Sequence, residues 1–248
     1  NDEKVKTFDV RRKIGENEYE LFQSKESYKE IYIPFVTHGI KSSIELLSDT
    51  VGKTISLMDE KTLNKLFENV HFIAHYIKTQ PTDSLLKPMM HRSDNFFAEQ
   101  SLLMVSNERL GAMNDEKIID TLLKTDLKDL PQKPRWVDGS GLSRYNLFTP
   151  QDFVAILNKM KNEFGMERIK VILPTGGTGT ISNYYKADSN YIFGKTGTLS
   201  GVVAFSGFLY TKKGKLLIFS TLVNNHQASS TAVRRAVEKF IQGIREKY

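Results

Sequence analysis

Two short clusters hold the groups in this 248-residue chain that are best suited to chemistry. Lys195-Thr196-Gly197-Thr198 follows the apolar run Tyr191-Ile192-Phe193, and Ser93-Asp94-Asn95 lies 102 residues upstream of the lysine. Acyl transfer from a peptide needs a holder for the substrate carboxylate, an acid for the leaving amine and donors for the developing oxyanion. A strand bearing Lys195, Thr196 and Thr198 offers a cation and two hydroxyls along one edge, and Gly197 lets a ligand approach the backbone closely. A serine and an amide on a facing loop supply a proton shuttle and a hydrogen-bonding arm. Each cluster alone has a plainer reading. Ser-Asp-Asn suits a helix cap or turn, and Lys-Thr-Gly suits a strand with an exposed ammonium beside a glycine bulge. Each sits in the context the chemistry requires, and together they point to acyl transfer.

The surrounding pattern is that of an α+β chain: a helical part, then an antiparallel sheet with a C-terminal helix packed on it. Residues 1–35 mix short β-like pieces, Lys4 to Val10, Tyr19 to Gln23 and Ile31 to Phe35, with charged turns. They read as the tail of a β-rich inserted segment, ahead of a main region over 36–248. Ser42 to Leu47 and Asp59 to Phe67 have helical patterning, with Asp59 as N-cap. His71 to Thr79 alternates as a strand, and Thr82 or Asp83 caps a helix over Ser84 to Arg92. Phe96 to Glu108 is predicted helical, stopped by Gly111, so Ser93-Asp94-Asn95 falls in the short connection between two helices. Helices follow over Asp115 to Leu123 and from Thr149-Pro150 onward, where proline suits the first helical position. After the glycine-rich Leu173 to Thr180, strands are expected over Tyr191 to Thr198, Val202 to Tyr210 and Lys215 to Val223, turning at Lys212-Lys213-Gly214. Val233, Ala236, Val237, Phe240 and Ile244 mark an amphipathic helix that packs on that sheet.

Composition narrows the function classes. Forty per cent apolar and 26% charged residues is ordinary soluble usage. No apolar stretch approaches the roughly 20 residues that span a bilayer, and there is no signal-peptide pattern. The chain starts at Asn1 rather than Met, which suggests a processed or trimmed product. The absence of cysteine excludes disulfides, thiolate chemistry and Cys-based metal sites. The formal charge of +6 is scattered, its densest groups being Arg11-Arg12-Lys13 and Lys212-Lys213 with Lys215. With no helix-turn-helix or aromatic-rich RNA-binding strand, it reads as a solvated basic surface and not a nucleic-acid site. Such a surface is compatible with mild attraction to an anionic polymer such as cell wall.

Competing motifs fail on particular residues. Gly194-Lys195-Thr196 ends like a P-loop, but Ser189 stands where that motif needs glycine, and the lysine lies in a strand pattern. His71 and His75 have the spacing of a metalloprotease pair, but Phe72 replaces the glutamate. The Gly139-Ser140-Gly141 loop lacks the Gly-x-Ser-x-Gly elbow, so Ser140 is a turn residue that lines the site, a substrate-binding candidate with Thr196, Gly197 and Thr198.

From about Gln80 to its end the sequence resembles the D-Ala-D-Ala carboxypeptidase/endopeptidases of the low-molecular-mass class C penicillin-binding proteins. The matching residues are Ser93-Asp94-Asn95-Phe96-Phe97-Ala98-Glu99, Trp136-Val137-Asp138-Gly139-Ser140-Gly141-Leu142-Ser143, Leu173-Pro174 with Gly179-Thr180, and Gly194-Lys195-Thr196-Gly197-Thr198-Leu199. The resemblance implies part of a penicillin-binding, β-lactamase-like transpeptidase fold, located in the periplasm or cell envelope. It implies peptidoglycan stem peptides as substrates, β-lactams as acylating ligands, and no cofactor or metal. Ser93 would relay the leaving-group proton, Asn95 would contact the substrate amide, and Lys195 would lower the local pKa and orient the hydroxyls. Thr196 and Thr198 would bind the terminal carboxylate, with the Thr198 N–H as one oxyanion donor.

The family's Ser-x-x-Lys nucleophile has one literal match, Ser84-Leu85-Leu86-Lys87. It lies nine residues before Ser93 on the helix leading into that loop, so the two serines cannot face each other across a cleft. In the family the nucleophile lies near the start of the mature protein, ahead of β-rich inserts. The expectation is therefore that this chain lacks the nucleophile segment and is inactive alone. The edge of the Lys215 to Val223 strand would then be left for an N-terminal fragment, a partner chain or a homo-oligomer to cover. The alternative is a non-catalytic relative that binds peptidoglycan or a partner.

Overall fold

In a computed structural model of the chain, which describes residues 8–22, 33, 35–68 and 80–248, two compact units form, Asn1–Tyr76 and Ile77–Tyr248. In the first unit Asp9–Arg12 (β1) and Tyr19–Phe22 (β2) pair antiparallel, Asp9 opposite Phe22. Arg11 and Arg12 are thus strand residues. The Asn17 side chain brackets Val36, donating to its carbonyl at 2.8 Å and accepting from its N–H at 2.7 Å. Two helices follow, Ile40–Val51 (α1) and Glu60–Phe67 (α2). Asp59 caps α2 by accepting from the Thr62 N–H at 2.9 Å, as its residue type favours. The unit includes these two helices, which the sequence pattern grouped with the region after residue 35. His71 to Thr79, with its histidine pair, and most of Ile31 to Phe35 lie outside the described residues.

The second unit carries Asp83–Arg92 (α3), Asn95–Leu110 (α4), Asp115–Lys124 (α5) and Pro150–Ile172 (α6). Leu102 of α4 buries against Ile118 and Ile119 of α5, with Trp136 packed on them. Helix α6 opens with a full capping box, Thr149 and Asp152 bonding each other's backbone N–H, and Pro150 stands at its first position. It breaks once, at Gly165. Arg168, just beyond the break, grips Asp83 at the start of α3 with two nitrogens, the shorter contact being 2.7 Å.

After two 3₁₀ turns at Gly179–Ile181 and Lys186–Asp188, Ile192–Leu199 (β3), Val202–Tyr210 (β4) and Leu216–Asn224 (β5) make an antiparallel sheet in that order. Ser230–Lys247 (α7) closes the chain. The near-continuous apolar character of the strands is explained by cover on both faces. Ile192, Phe205 and Leu209 pack with Tyr184, Tyr185, Val237 and Ile241 on the α7 side. Phe193 and Phe208 pack with Leu157, Ile169 and Met90 on the α6 side. Phe208, Ile192 and Ile169 are fully buried, each worth roughly 1.5–3 kcal/mol relative to exposure. Among the described residues, no helix is long and apolar enough to cross a membrane.

Candidate active site

The corner between α3 and α4 is built by the cap chemistry of Ser93-Asp94-Asn95. Ser93 ends α3 in a left-handed conformation (φ 58, ψ 51), a position that costs a non-glycine residue about 1–2 kcal/mol. Its N–H and that of Asp94 both bond the Met89 carbonyl. The Asp94 carboxylate then caps α4, accepting from the Phe97 N–H at 3.0 Å. Asn95 is the first residue of α4, exposed, with no side-chain hydrogen bond to a described residue. The tripeptide is therefore a helix cap, and that cap is what turns the Ser93 hydroxyl outward. Gly179 holds the facing loop against the same corner: a Cβ there would sit 3.0 Å from the His91 carbonyl.

Across from this corner, Lys195 Nζ donates to Ser93 Oγ at 2.8 Å and to the Thr196 carbonyl at 2.6 Å. An ammonium only donates, so Ser93 Oγ must accept and its own hydrogen is left to give away. Among the described residues no carboxylate lies within 4.0 Å of Lys195. Burial without a counter-ion pushes its pKa down from 10.5 to about 8.

Strand alternation divides the remaining groups. Lys195 shares the Phe193 side of β3, facing α3, whereas Thr196 and Thr198 share the Ile192 side. Thr196 Oγ1 donates to Thr180 Oγ1 at 2.8 Å, and Thr198 Oγ1 accepts from Arg234 Nη2 of α7 at 2.5 Å. The backbone edge of β3 brings the two sets together. Gly194 N–H donates to the Pro174 carbonyl, away from β4, so by alternation the N–H and C=O of Thr196 and Thr198 point to that same open side. Among the described residues this edge is bridged only at Thr175–Phe193. A Cβ on Gly197 would meet only Ala204, at 3.5 Å. The fold itself therefore tolerates a side chain there.

The loop with Ser140 is fixed from both ends. Glu99 of α4 accepts from the Gly139 and Ser140 N–H groups at 3.0 and 2.9 Å. Gly139 is required for that approach, because a Cβ would stand 2.8 Å from the Ala98 carbonyl. Asp138 gathers the Gly141 and Ser143 N–H groups and the Asn146 amide. Arg144 then reaches the Ser200 carbonyl of the β3–β4 turn at 2.8 Å, joining the loop to the strand wall. Half-buried Ser140 accepts from the Leu142 N–H at 3.4 Å, within its own turn, and keeps its own proton to give.

Sequence reasoning gave no role to Glu99, Thr180, Arg144 or Arg234. Arg234 had a legible signal: it lies three residues before Val237 and seven before Ile241, on the stripe of α7 that faces the sheet. Ser84 is exposed in the first turn of α3, about 13 Å along the helix axis from Ser93 at 1.5 Å per residue. Among the described residues there is no cluster of three metal-ligating side chains.

The profile of the D-Ala-D-Ala carboxypeptidase 3 (S13) family matches residues 40–247. The D-alanyl-D-alanine carboxypeptidase DacB of Haemophilus influenzae is 27% identical over 180 residues, 68% of this chain and 37% of that protein. A D-alanyl-D-alanine carboxypeptidase from an Actinomadura species is 31% identical over 169 residues, 62% of this chain and 30% of that protein. The chain thus spans about a third of the length of the curated relatives it matches. The crystal structure of penicillin binding protein 4 (dacB) from H. influenzae, complexed with a β-lactam, superposes with a TM-score of 0.65 at 21% identity. That match covers 97% of this chain and 59% of the other. A second structure of the same protein gives 0.53 at 28% identity, over 61% of this chain and 35% of the other.

Proposed function

The chain belongs to the D-Ala-D-Ala carboxypeptidase 3 (S13) family, and from that membership we propose that it forms the substrate-binding and proton-relay wall of a serine D-Ala-D-Ala carboxypeptidase/endopeptidase. The substrates would be peptidoglycan stem peptides in the cell envelope, and the chemistry would run through an acyl-enzyme that β-lactams also form. The observation that carries this reading is the 2.8 Å hydrogen bond from Lys195 to Ser93. Its polarity leaves the Ser93 proton for a leaving amine, which is what the general acid of acyl transfer must deliver.

In this reading an extended peptide lies along the open edge of β3. Its backbone bonds the outward N–H and C=O of Thr196 and Thr198, as a strand added to a sheet edge does. The Thr198 N–H donates to the developing oxyanion, Asn95 holds the substrate amide from the α4 side, and the Thr196 and Thr198 hydroxyls receive the terminal carboxylate. Ser140, whose hydroxyl keeps its proton, lines the site as a further substrate-binding residue.

The nucleophile comes from a segment outside Asn1–Tyr248. Ser84 is the only serine in a Ser-x-x-Lys match, and it stands at the far end of α3 from Ser93. In this reading the segment pairs with the edge of β5, which has no strand partner among the described residues, next to a groove of about 560 Å³ between β5 and α6 lined by Pro131, Val154, Ala155 and Ile218. Both features favour an apolar, strand-bearing piece of the same protein.

Labelling the full-length gene product with penicillin, followed by peptide mass mapping, tests the assignment. A covalent adduct on a serine outside these 248 residues is expected, with release of D-alanine from a stem peptide. An adduct on Ser84 would overturn the placement of the nucleophile. Peptidoglycan binding with no adduct at all would point to a non-catalytic relative.

A further inference from the structure

We infer that Arg234 is the positioning residue that makes this site select a substrate whose departing residue carries a free carboxylate. The inference rests on the acyl-transfer reading and extends it to specificity.

Arg234 occupies a place where helical periodicity calls for an apolar side chain, one turn ahead of Val237 on the sheet-facing stripe of α7. Its Nη2 donates to Thr198 Oγ1 at 2.5 Å. The guanidinium cannot accept, so the Thr198 hydroxyl must, and its own hydrogen is left for another acceptor. Its Nε is buried and bonded to nothing among the described residues. A buried unpaired donor on a charged group is costly unless something completes it. Among the described residues no carboxylate lies within 4.0 Å of Arg234, whereas its neighbour Arg235 is neutralised by Glu238. The ring of Tyr184 backs the guanidinium at 6.0 Å. Thr180, Tyr184, Thr196 and Arg234 share a cavity of about 20 Å³, room for one water-sized group.

These features describe a cation with no carboxylate partner among the described residues, beside a Thr198 hydroxyl left with its proton to give, at the open edge of β3. A peptide lying on that edge meets the cation where its chain ends. A terminal carboxylate brings one negative charge and acceptor lone pairs for the Thr198 hydroxyl, whereas an amide brings no charge and a surplus of donors. Arg234 therefore acts through Thr198: it fixes the direction of that hydroxyl and adds positive potential.

Two measurements on the full-length gene product test this separately from the reaction. In the first, N-acetyl-D-Ala-D-Ala and its C-terminal primary amide are titrated by NMR. The acid is expected to bind about 30-fold or more tightly than the amide, about 2 kcal/mol or more at 1.4 kcal/mol per decade. Arg234→Gln should shrink that ratio to within about threefold, and Arg234→Lys should restore part of it. In the second, turnover of an acid- and an amide-terminated stem peptide is compared. Arg234→Gln should raise KM for the acid far more than it lowers kcat. Its effect should also be non-additive with that of Thr198→Ala, because one interaction is being removed twice. Acid preference surviving in a folded Arg234→Gln protein would overturn the inference, as would additive losses. If Arg234→Gln fails to fold, an Arg234→Lys protein that shows no change in the acid-to-amide ratio would overturn it too. Carboxylate-selective binding that depends on Arg234, without turnover or penicillin adduct, would uphold the inference and sink the acyl-transfer reading.

Discussion

The two edges of the sheet in the second unit are finished in opposite ways. The β3 edge is short and polar: it is bridged at Phe193, then left open over Thr196 and Thr198, with Lys195 tied to Ser93 and Thr198 tied to Arg234. The β5 edge has no strand partner among the described residues, yet Leu216 to Val223 is almost entirely apolar and sits beside an apolar groove. An open edge invites another strand wherever it occurs. What differs is the chemistry around it. At β3 the side chains of Lys195, Thr196 and Thr198 are each held in a directed hydrogen bond, which suits a small transient ligand. At β5 the surroundings offer only burial, which suits a permanent structural partner.

The sharpest way to break this contrast is at Lys195. In the full-length gene product, Lys195→Met keeps the apolar stem and removes the donor to Ser93. Acylation by penicillin should fall by about 10²–10⁴-fold, the usual worth of a positioned proton-transfer group. Folding should respond in the opposite sense. Burial holds the Lys195 pKa at about 8 against 10.5 when unfolded. Between those values the unfolded chain binds the extra proton, so stability rises as pH climbs from about 8 towards 10.5. Below about 8 the buried charge is a standing penalty that Lys195→Met relieves. The pH titration of urea unfolding should lose that slope in the variant. The alkaline limb of penicillin acylation, centred near 8 because the neutral amine donates only weakly to Ser93 and can accept its proton instead, should disappear with it.

A smaller effect separates the β3 wall from its supports. Glu99→Gln replaces a charged acceptor of two backbone N–H groups with a neutral one. Hydrogen bonds to charged groups contribute about 1.5–3 kcal/mol, so thermal unfolding should shift down by several degrees. The loss should appear in substrate KM as well, because the loop from Asp138 to Arg144 also carries the contact to Ser200. An unchanged KM would mean that the loop supports the fold without shaping the site. Amide exchange then compares the edges directly. Saturating D-Ala-terminated peptide should slow exchange at Thr196 and Thr198 about tenfold, the fraction of time the edge is covered, and leave β5 amides unaltered. Slowing at β5 instead would reverse the assignment of ligand edge and structural edge.

Much of this was legible in the residues. Types and spacing gave the α+β order, the caps at Asp59 and Thr149-Pro150, the hairpin at Gly214 and the pairing of Ser93 with Lys195. Where legibility failed, the decisive partner was a backbone group or a neighbour distant in sequence. Glu99 acts on two N–H groups, and backbone donors leave no mark in a residue pattern. Phe240 fits an apolar stripe by spacing but is 62% exposed, because the face of α7 turned to the sheet runs through Arg234, Val237, Ile241 and Ile244. Periodicity located the helix and was off by about one residue in its rotation. An arginine on an inward stripe looks like noise until Thr198 is seen beside it. The lysine and threonines of β3 looked like neighbours on one edge. They are, but only through the backbone, since alternation sends their side chains to opposite faces.

The least effect is expected where the sequence match was most literal. Ser84-Leu85-Leu86-Lys87 satisfies the nucleophile pattern letter for letter, yet both Ser84 and Lys87 are exposed and no described hydrogen bond joins them. An activated serine needs its base within about 2.6–3.2 Å and a shared cavity with the oxyanion donors. Ser84 has neither: the helix that carries it delivers Ser93 to the site only at its other end, held by the Met89 carbonyl and the Asp94 cap. Ser84→Ala should therefore leave penicillin acylation of the full-length protein within about twofold of wild type and stability within about 0.5 kcal/mol, as for surface substitutions generally. A loss of the adduct in that variant would move the nucleophile into this chain. The free edge of β5 would then no longer be needed to seat a missing catalytic segment, and the contrast between the two edges would lose its functional half.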